Sequence, residues 1–168
     1  MQHNNTEKTI LLAGATGYLG NYIAKELITR NIDTKIIARN PSRIIDIASS
    51  LTGIIQAEVT SAETLKGHLR GVDTVISTIG ITRQKDGLTF MDVDYGANMN
   101  LLEEAKRAGV RKFIYVSVIN GQLHRNLKLV EAKEAFVDQL KSSGLDYTII
   151  RPNGFFSDMR DFLKMAEK

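Results

Sequence analysis

Short apolar runs rich in β-branched residues punctuate the chain at 9–13, 34–38, 54–59, 72–77, 113–117 and 147–150. Most are near-continuously apolar, as parallel strands covered on both faces are. Segments of helical character lie between them, and their ends are readable. The first helix is expected from Tyr18 to Arg30, with Asn31 as a left-handed cap. The second opens on Asn40 as N-cap with Pro41 in its first turn. The third opens on Thr60-Ser61-Ala62-Glu63, a capping-box spacing, and ends at Gly71. The fourth covers roughly 90–108 and stops at Gly109, and the fifth covers about 127–142 and stops at Gly144. This alternation implies right-handed βαβ crossovers and an α/β, Rossmann-type doubly wound parallel sheet, with six strands in the order 3-2-1-4-5-6. A flavodoxin-like order is the rival, and the glycine spacing described next decides against it.

The first strand runs straight into Gly14-Ala15-Thr16-Gly17-Tyr18-Leu19-Gly20. The first glycine permits a tight turn, the second lets the backbone approach a pyrophosphate, and the third lets the helix pack closely on the sheet. The helix start then presents N–H groups and a partial positive charge to phosphates. A strand–helix turn that merely needs flexibility would also use glycines. The position between the first strand and a helix is the context that a dinucleotide site requires.

The end of the second strand bears on which dinucleotide binds. An NAD site places an acid there, against the ribose 2′-hydroxyl. Here the strand ends on Arg39, placed to meet a 2′-phosphate, with Ser42 and Arg43 as further donors at the next helix start. Asp33 sits at the opposite, amino-terminal end of that strand. NADP(H) is therefore preferred over NAD(H), the alternative being that Arg39 is an ordinary surface arginine.

The remaining strand ends face the same edge. Glu58 is either an acceptor for the adenine amino group, with Val59 flanking the ring, or the N-terminal acid of the third helix. Thr78, Ile79 and Gly80 allow close backbone approach to the second ribose. Asn98 is either a loop-binding group or an unremarkable helix residue. Ser117 closes the fifth strand, facing the nicotinamide region or simply capping the strand.

Composition narrows the classes. A chain of 168 residues suits one domain, and 43% hydrophobic with 24% charged residues predicts a buried core. Cysteine is absent, which excludes disulfides, thiol nucleophiles and Cys-ligated metals, and three scattered histidines suggest no metal site. The net charge of +3 is spread along the chain with no basic stripe or aromatic platform, so nucleic acid is not the expected partner. No apolar run reaches the ~18 residues of a membrane span. Residues 1–8 form a polar leader without an apolar signal core, and the expected location is cytoplasmic. Residues 9–154 form the expected nucleotide-binding domain.

In order along the chain, Gly14–Gly20, Arg39, Ser77–Gly80, residues 100–110, residues 113–117, Lys133 and residues 143–152 resemble the atypical short-chain dehydrogenase/reductases, specifically the NmrA-like NAD(P)-binding proteins. The resemblance implies a Rossmann fold and a nicotinamide cofactor, with Gly14, Gly17, Gly20, Arg39 and Lys133 in cofactor roles. In the Tyr-x-x-x-Lys signature of that superfamily the lysine holds the nicotinamide ribose and the tyrosine moves the proton. Here the tyrosine position is Leu129, which has no proton to give. Lys133 and Ser117 are the candidate catalytic residues; a solvated helix lysine is the plainer reading of Lys133. His124, in the loop after the fifth strand, is an alternative proton donor or an exposed surface residue.

The same resemblance leads Pro152, Asn153 and Gly154 toward the nicotinamide and a substrate lid. Beyond them Met159, Phe162, Leu163 and Ala166 recur at helical spacing in 155–168, an apolar stripe expected to dock on the domain itself. The resemblance implies further chain after Lys168, so the sequence is expected to be either a truncated product or a minimal member of the family it resembles. Two functions follow: an NADP(H)-dependent oxidoreductase with a quinone, flavin or carbonyl acceptor, or a redox sensor that presents bound cofactor to a partner protein.

Overall fold

The computed structural model describes residues 8–81 and 87–155. Its six strands are β1 (Ile10–Ala13), β2 (Thr34–Ala38), β3 (Gly53–Gln56), β4 (Thr74–Ser77), β5 (Lys112–Val116) and β6 (Asp146–Ile150). They form one parallel sheet in the order β3-β2-β1-β4-β5-β6. Three helices accompany it: α1 (Tyr18–Thr29), α2 (Asn98–Ala108) and α3 (Lys128–Lys141), with a π-helical turn, Met91–Ala97, leading into α2.

Successive side chains on a strand point to opposite faces, and both faces here are apolar. Leu11, Val75 and Phe113 pack with Leu101 and Leu102 of α2 and Phe136 of α3. Leu12, Ile36 and Ile76 pack on the other face with Ala24 and Leu27 of α1. The Phe136 ring lies 5.7 Å from Phe113 and 4.6 Å, edge-on, from Tyr115, centroid to centroid. These contacts explain why the central runs contain almost no polar residues.

Two expected helices are not α-helices. The segment after Asn40 forms two 3₁₀ turns, Pro41–Ile44 and Ala48–Ser50. Asn40 does cap the first, its Oδ1 accepting from the Ser42 amide at 3.1 Å. The buried residues there, Ile44 and Ile47, are three apart, the spacing that a 3₁₀ helix eclipses. The segment after Thr60 forms a single 3₁₀ turn, Ala62–Leu65, because Gly67 adopts a left-handed conformation (φ 76°). No capping box forms; Glu63 pairs with Lys66 instead. Likewise β3 ends at Gln56, three residues before the expected end of its apolar run.

The other ends lie where the sequence places them. Asn31 is left-handed (φ 54°) after α1. Gly109 (φ 73°) closes α2, its amide donating to the Lys106 carbonyl and that of Val110 to the Ala105 carbonyl. Gly109→Ala forces a Cβ into that left-handed residue and should cost about 1 kcal/mol. Urea denaturation should show the loss as a lower midpoint with an unchanged slope.

Candidate functional site

The order of strands reverses between β1 and β4, and in doubly wound sheets that is where the crevice opens. Gly14 follows β1 with φ 93°, and a Cβ on it would lie 3.0 Å from the Thr78 carbonyl carbon. A Cβ on Gly20 would lie 2.6 Å from the Gly14 carbonyl carbon and 2.9 Å from Ala15 Cα. Strand end, helix start and the turn after β4 therefore meet backbone to backbone. Gly17 caps α1 without a side-chain hydrogen bond, and no acid occupies the first turn. The positive end of this 12-residue helix has no local counter-charge.

Two hollows flank this turn, and Gly17, Thr78 and Gly80 line both. The first, about 220 Å³, gathers Gly14, Thr16, Arg39, Glu58, Val59 and Ile79 from the ends of β1 to β4. Arg39 is exposed, and its Nη1 lies 3.6 Å from Glu58 Oε2. Glu58 Oε1 accepts from the Thr60 amide (3.3 Å) and hydroxyl (3.0 Å), so this carboxylate is tied to its own loop. The second hollow, about 470 Å³, lies toward β5 and β6. Tyr18, Leu19 and Gly20 form one side of it, and Ser117, Lys133 and Pro152-Asn153-Gly154 face them. Leu129, Ile119 and Phe155 supply apolar wall, and Phe155 lies against Tyr18 with ring centroids 6.1 Å apart.

Behind the second hollow lie buried charges. Lys133 Nζ, on a side chain 13% exposed, sits 2.9 Å from Oδ1 of fully buried Asp94. Burial pushes the Asp94 carboxyl up, and the Lys133 ammonium opposes that shift. The Ser117 hydroxyl donates to Glu134 Oε1 at 2.8 Å, and Arg151 grips both oxygens of Glu134 at 2.5 and 2.8 Å. Burial raises the Glu134 carboxyl; the Arg151 and Ser117 hydrogen bonds outweigh it and leave the group below the ordinary carboxylate range. Between these pairs stands fully buried Tyr115, whose hydroxyl has no hydrogen-bond partner among the described residues. Burial, then the Asp94 and Glu134 charges, push that hydroxyl well above the usual phenol range.

Some expected residues lie elsewhere. Asn98 lines neither hollow; it is fully buried, accepts from the Ser77 hydroxyl at 2.5 Å and donates to the Asp94 carbonyl at 2.9 Å. Ser42 is exposed in its 3₁₀ turn and lines neither hollow, and exposed His124 follows the 3₁₀ turn Gly121–Leu123. Asp33 accepts from Thr9 and Thr52 in a groove of about 840 Å³ at the opposite edge of the sheet, where Asp73 and Arg111 pair with each other. Residues 156–168, with their apolar stripe, lie outside the described residues.

Sequence reasoning missed Asp94 and Glu134. Each is an acid on an apolar stripe: Asp94 among Val93, Ala97 and Leu101, and Glu134 between Val130 and Val137. That placement is the signal that would have found them.

A six-stranded parallel sheet with a glycine cradle at its switch point defines a dinucleotide-binding protein of the Rossmann class. The NAD(P)H-binding family model matches residues 14–164, and the chain belongs to that family. It is 28% identical over 151 residues to the photosystem II assembly factor Ycf39 of Guillardia theta, covering 90% of this chain and 48% of that protein. It is 28% identical over 172 residues to the chloroplastic divinyl chlorophyllide a 8-vinyl-reductase of Cucumis sativus, covering 93% and 41%. Among solved structures, an NADPH-dependent quinone oxidoreductase from Escherichia coli, complexed with NADPH, is similar at TM-score 0.74 and 27% identity, covering 94% of this chain and 52% of that one. A nucleoside-diphosphate-sugar epimerase from Staphylococcus aureus shares the fold at TM-score 0.78 and 24% identity, covering 94% and 55%. The family match agrees with the NAD(P)-binding resemblance read from the sequence. The chain spans about half the length of the curated relatives it matches. Among the described residues no helix is long and apolar enough to cross a membrane, and no acid–histidine cluster is placed to hold a metal.

The Glu134 clamp joins α3 to the end of β6, and its charge sets a pH signature. A carboxyl depressed in the folded state adds stability above its unfolded pKa, about 4.3, and loses it as pH falls through the lower folded value. Glu134→Gln should cost about 2 kcal/mol at pH 7. Denaturation of both proteins at pH 7 and pH 3 should show the gap closing on the acid side.

Proposed function

We propose that the chain binds NADP(H) along the crevice and acts as a hydride-transferring oxidoreductase without the usual catalytic tyrosine, Leu129 standing in its place. The observation that carries this reading is the cradle at Gly14, Gly17 and Gly20, where α1 packs backbone to backbone against the end of β1 and its N-terminus, without a side-chain cap, opens on the two hollows that Gly17 lines. A pyrophosphate suits that position by charge and by size. Thr16, Glu58, Val59 and Ile79 then line the adenine half, and Arg39 meets the 2′-phosphate. Tyr18, Leu19, Thr78, Gly80 and residues 152–154 line the nicotinamide half. Asn98 fixes the loop after β4 from behind, and Ser42 is an outlying donor beside Arg39.

A bound nicotinamide cofactor supplies the hydride. The chain's own residues bind and shield it. Lys133 reaches the nicotinamide ribose, and Leu129 and Ile119 keep that end of the crevice apolar. The Ser117 hydroxyl is already committed to Glu134, so it orders the loop after β5 and moves no proton. A quinone, flavin or carbonyl that takes its proton from water fits a wall whose proton-bearing tyrosine is a leucine. The E. coli relative, described as an NADPH-dependent quinone oxidoreductase, supports both the phosphate reading and this acceptor class.

A second reading is a redox sensor that binds NADP(H) and presents it to a partner protein. Leu129 favours it, as does the description of several relatives as assembly factors. The readings part on turnover. NADPH oxidation above background with a panel of quinones, flavins and carbonyls supports the enzyme. No turnover, together with a protein partner captured in a cofactor-dependent way, supports the sensor.

Arg39→Ala removes one or two charge-assisted bonds and should weaken NADPH binding by about 2 kcal/mol while NADH binding barely moves. Calorimetric titration with both cofactors checks this, and equal losses would show that Arg39 does not read the phosphate.

A further inference from the structure

We propose that Asp94 is a positioning residue: it holds the Lys133 ammonium at the nicotinamide end of the crevice, so that a flexible side chain is presented to the cofactor's second ribose in one place. This inference rests on the cofactor reading above. It stands on geometry contributed by three separate elements.

The carboxyl of Asp94 is 0% exposed; Oδ2 is hydrogen-bonded, and Oδ1, without a hydrogen-bond partner among the described residues, has the Lys133 ammonium as its counter-charge. Oδ1 faces Lys133 Nζ at 2.9 Å, and Oδ2 accepts from the Ile81 amide at 3.2 Å. Its own carbonyl accepts from Asn98, which is in turn bonded to Ser77 at the end of β4. Asp94 sits in the π-helical turn Met91–Ala97, where the wider winding departs from the regular helix that follows. Such turns occur mostly as single insertions, frequently at functional sites.

Gly80 supplies the second element. A Cβ there would lie 2.5 Å from Asp94 Oδ1 and 2.9 Å from Lys133 Nζ, so the loop after β4 leaves its own side chain out where the pair forms. The third element is α3, from which Lys133 reaches across the Tyr115 ring, its Nζ 5.6 Å from the ring centroid. Both Lys133 and Asp94 line the second hollow.

A buried ion pair is a weak contributor to stability, because desolvation offsets the attraction. Its effect is on position. Lysine has a long stem and three rotatable donors, and little in the stem selects one placement. A carboxylate fixed by Ile81 on one side and by the π turn on the other does select one. Leu129, one turn earlier on α3, offers no hydroxyl to share that task, so the placement of Lys133 falls to Asp94.

The test is calorimetric titration of the wild-type chain, Asp94→Asn, Lys133→Met and the double variant with NADPH and with 2′,5′-ADP. The second ligand carries the adenine and 2′-phosphate without a nicotinamide ribose. Asp94→Asn should weaken NADPH by about tenfold and 2′,5′-ADP by less than about twofold, the effect of losing one well-placed charged donor. Lys133→Met should reproduce that pattern, and the double variant should lose no more than either single one. A merely structural role for Asp94 lowers both ligands together, and that result overturns the proposal, as does an unchanged NADPH affinity. If Asp94→Asn does not fold, Lys133→Met decides: an unchanged ratio of the two affinities overturns the proposal. A wild-type chain that binds neither ligand overturns the cofactor reading itself, a result distinct from any of these.

Discussion

The close approach of backbone to backbone at Gly14, Gly20 and Thr78 is the constraint on which the rest of the molecule depends. Because no side chain intervenes, α1 begins directly against the end of β1 rather than a layer away from it. Its first turn therefore opens onto the carboxyl edge of the sheet, at the point where chain connections depart to opposite faces. Groups that follow the other strand ends on that same edge also line the two hollows: Arg39 after β2, Glu58 after β3, Ser117 after β5 and Pro152 after β6. Parallel pairing sends all of these ends to one side, so one topology gathers residues more than a hundred positions apart.

Strand order and the glycine cradle were legible in the sequence because each rests on a local rule. Near-continuous apolar runs at Leu11-Leu12 and Val75-Ile76 predict burial on both faces, and both faces are buried. The ends at Asn31 and Gly109 were legible because a left-handed residue has few substitutes. The two segments that became 3₁₀ turns were not. Asn40-Pro41 and Thr60-Ser61 are good starts, but a start does not fix length, and the left-handed Gly67 and the three-residue spacing of Ile44 and Ile47 intervened. The strand ends located the crevice; they did not reveal that Glu58 is held by Thr60 or that Ser117 is held by Glu134, since those partners belong to side-chain geometry.

Two buried acids stand beside the crevice, and the fold treats them alike. Asp94 and Glu134 are each faced by a glycine: a Cβ on Gly80 would lie 2.5 Å from Asp94 Oδ1, and one on Gly121 would lie 2.5 Å from Glu134 Oε1. Each acid is matched by a cation from a different element, Lys133 for Asp94 and Arg151 for Glu134, with Arg125 also 3.9 Å from Glu134 Oε2. An uncompensated charge at either place would be costly, so the loops after β4 and β5 are fixed by electrostatics where apolar packing cannot reach. Those are the loops that shape the second hollow. Tyr115 stands between the two pairs, and its aromatic ring separates them while packing on Phe136.

Binding and proton transfer are consequently separable on this scaffold. Residues 129 and 133 are four apart on α3, one turn, and share a face of the helix. Lys133 is held by Asp94, by the space at Gly80 and by the ring of Tyr115, none of which involves residue 129. Replacing a tyrosine by leucine at that position removes a proton donor without loosening the lysine. On the proposed reading, a cradle for the cofactor therefore survives the loss of acid–base chemistry. The catalytic and the sensing readings use the same bound state, and they differ in what reaches the apolar wall at Leu129: an acceptor protonated by water, or the surface of another protein.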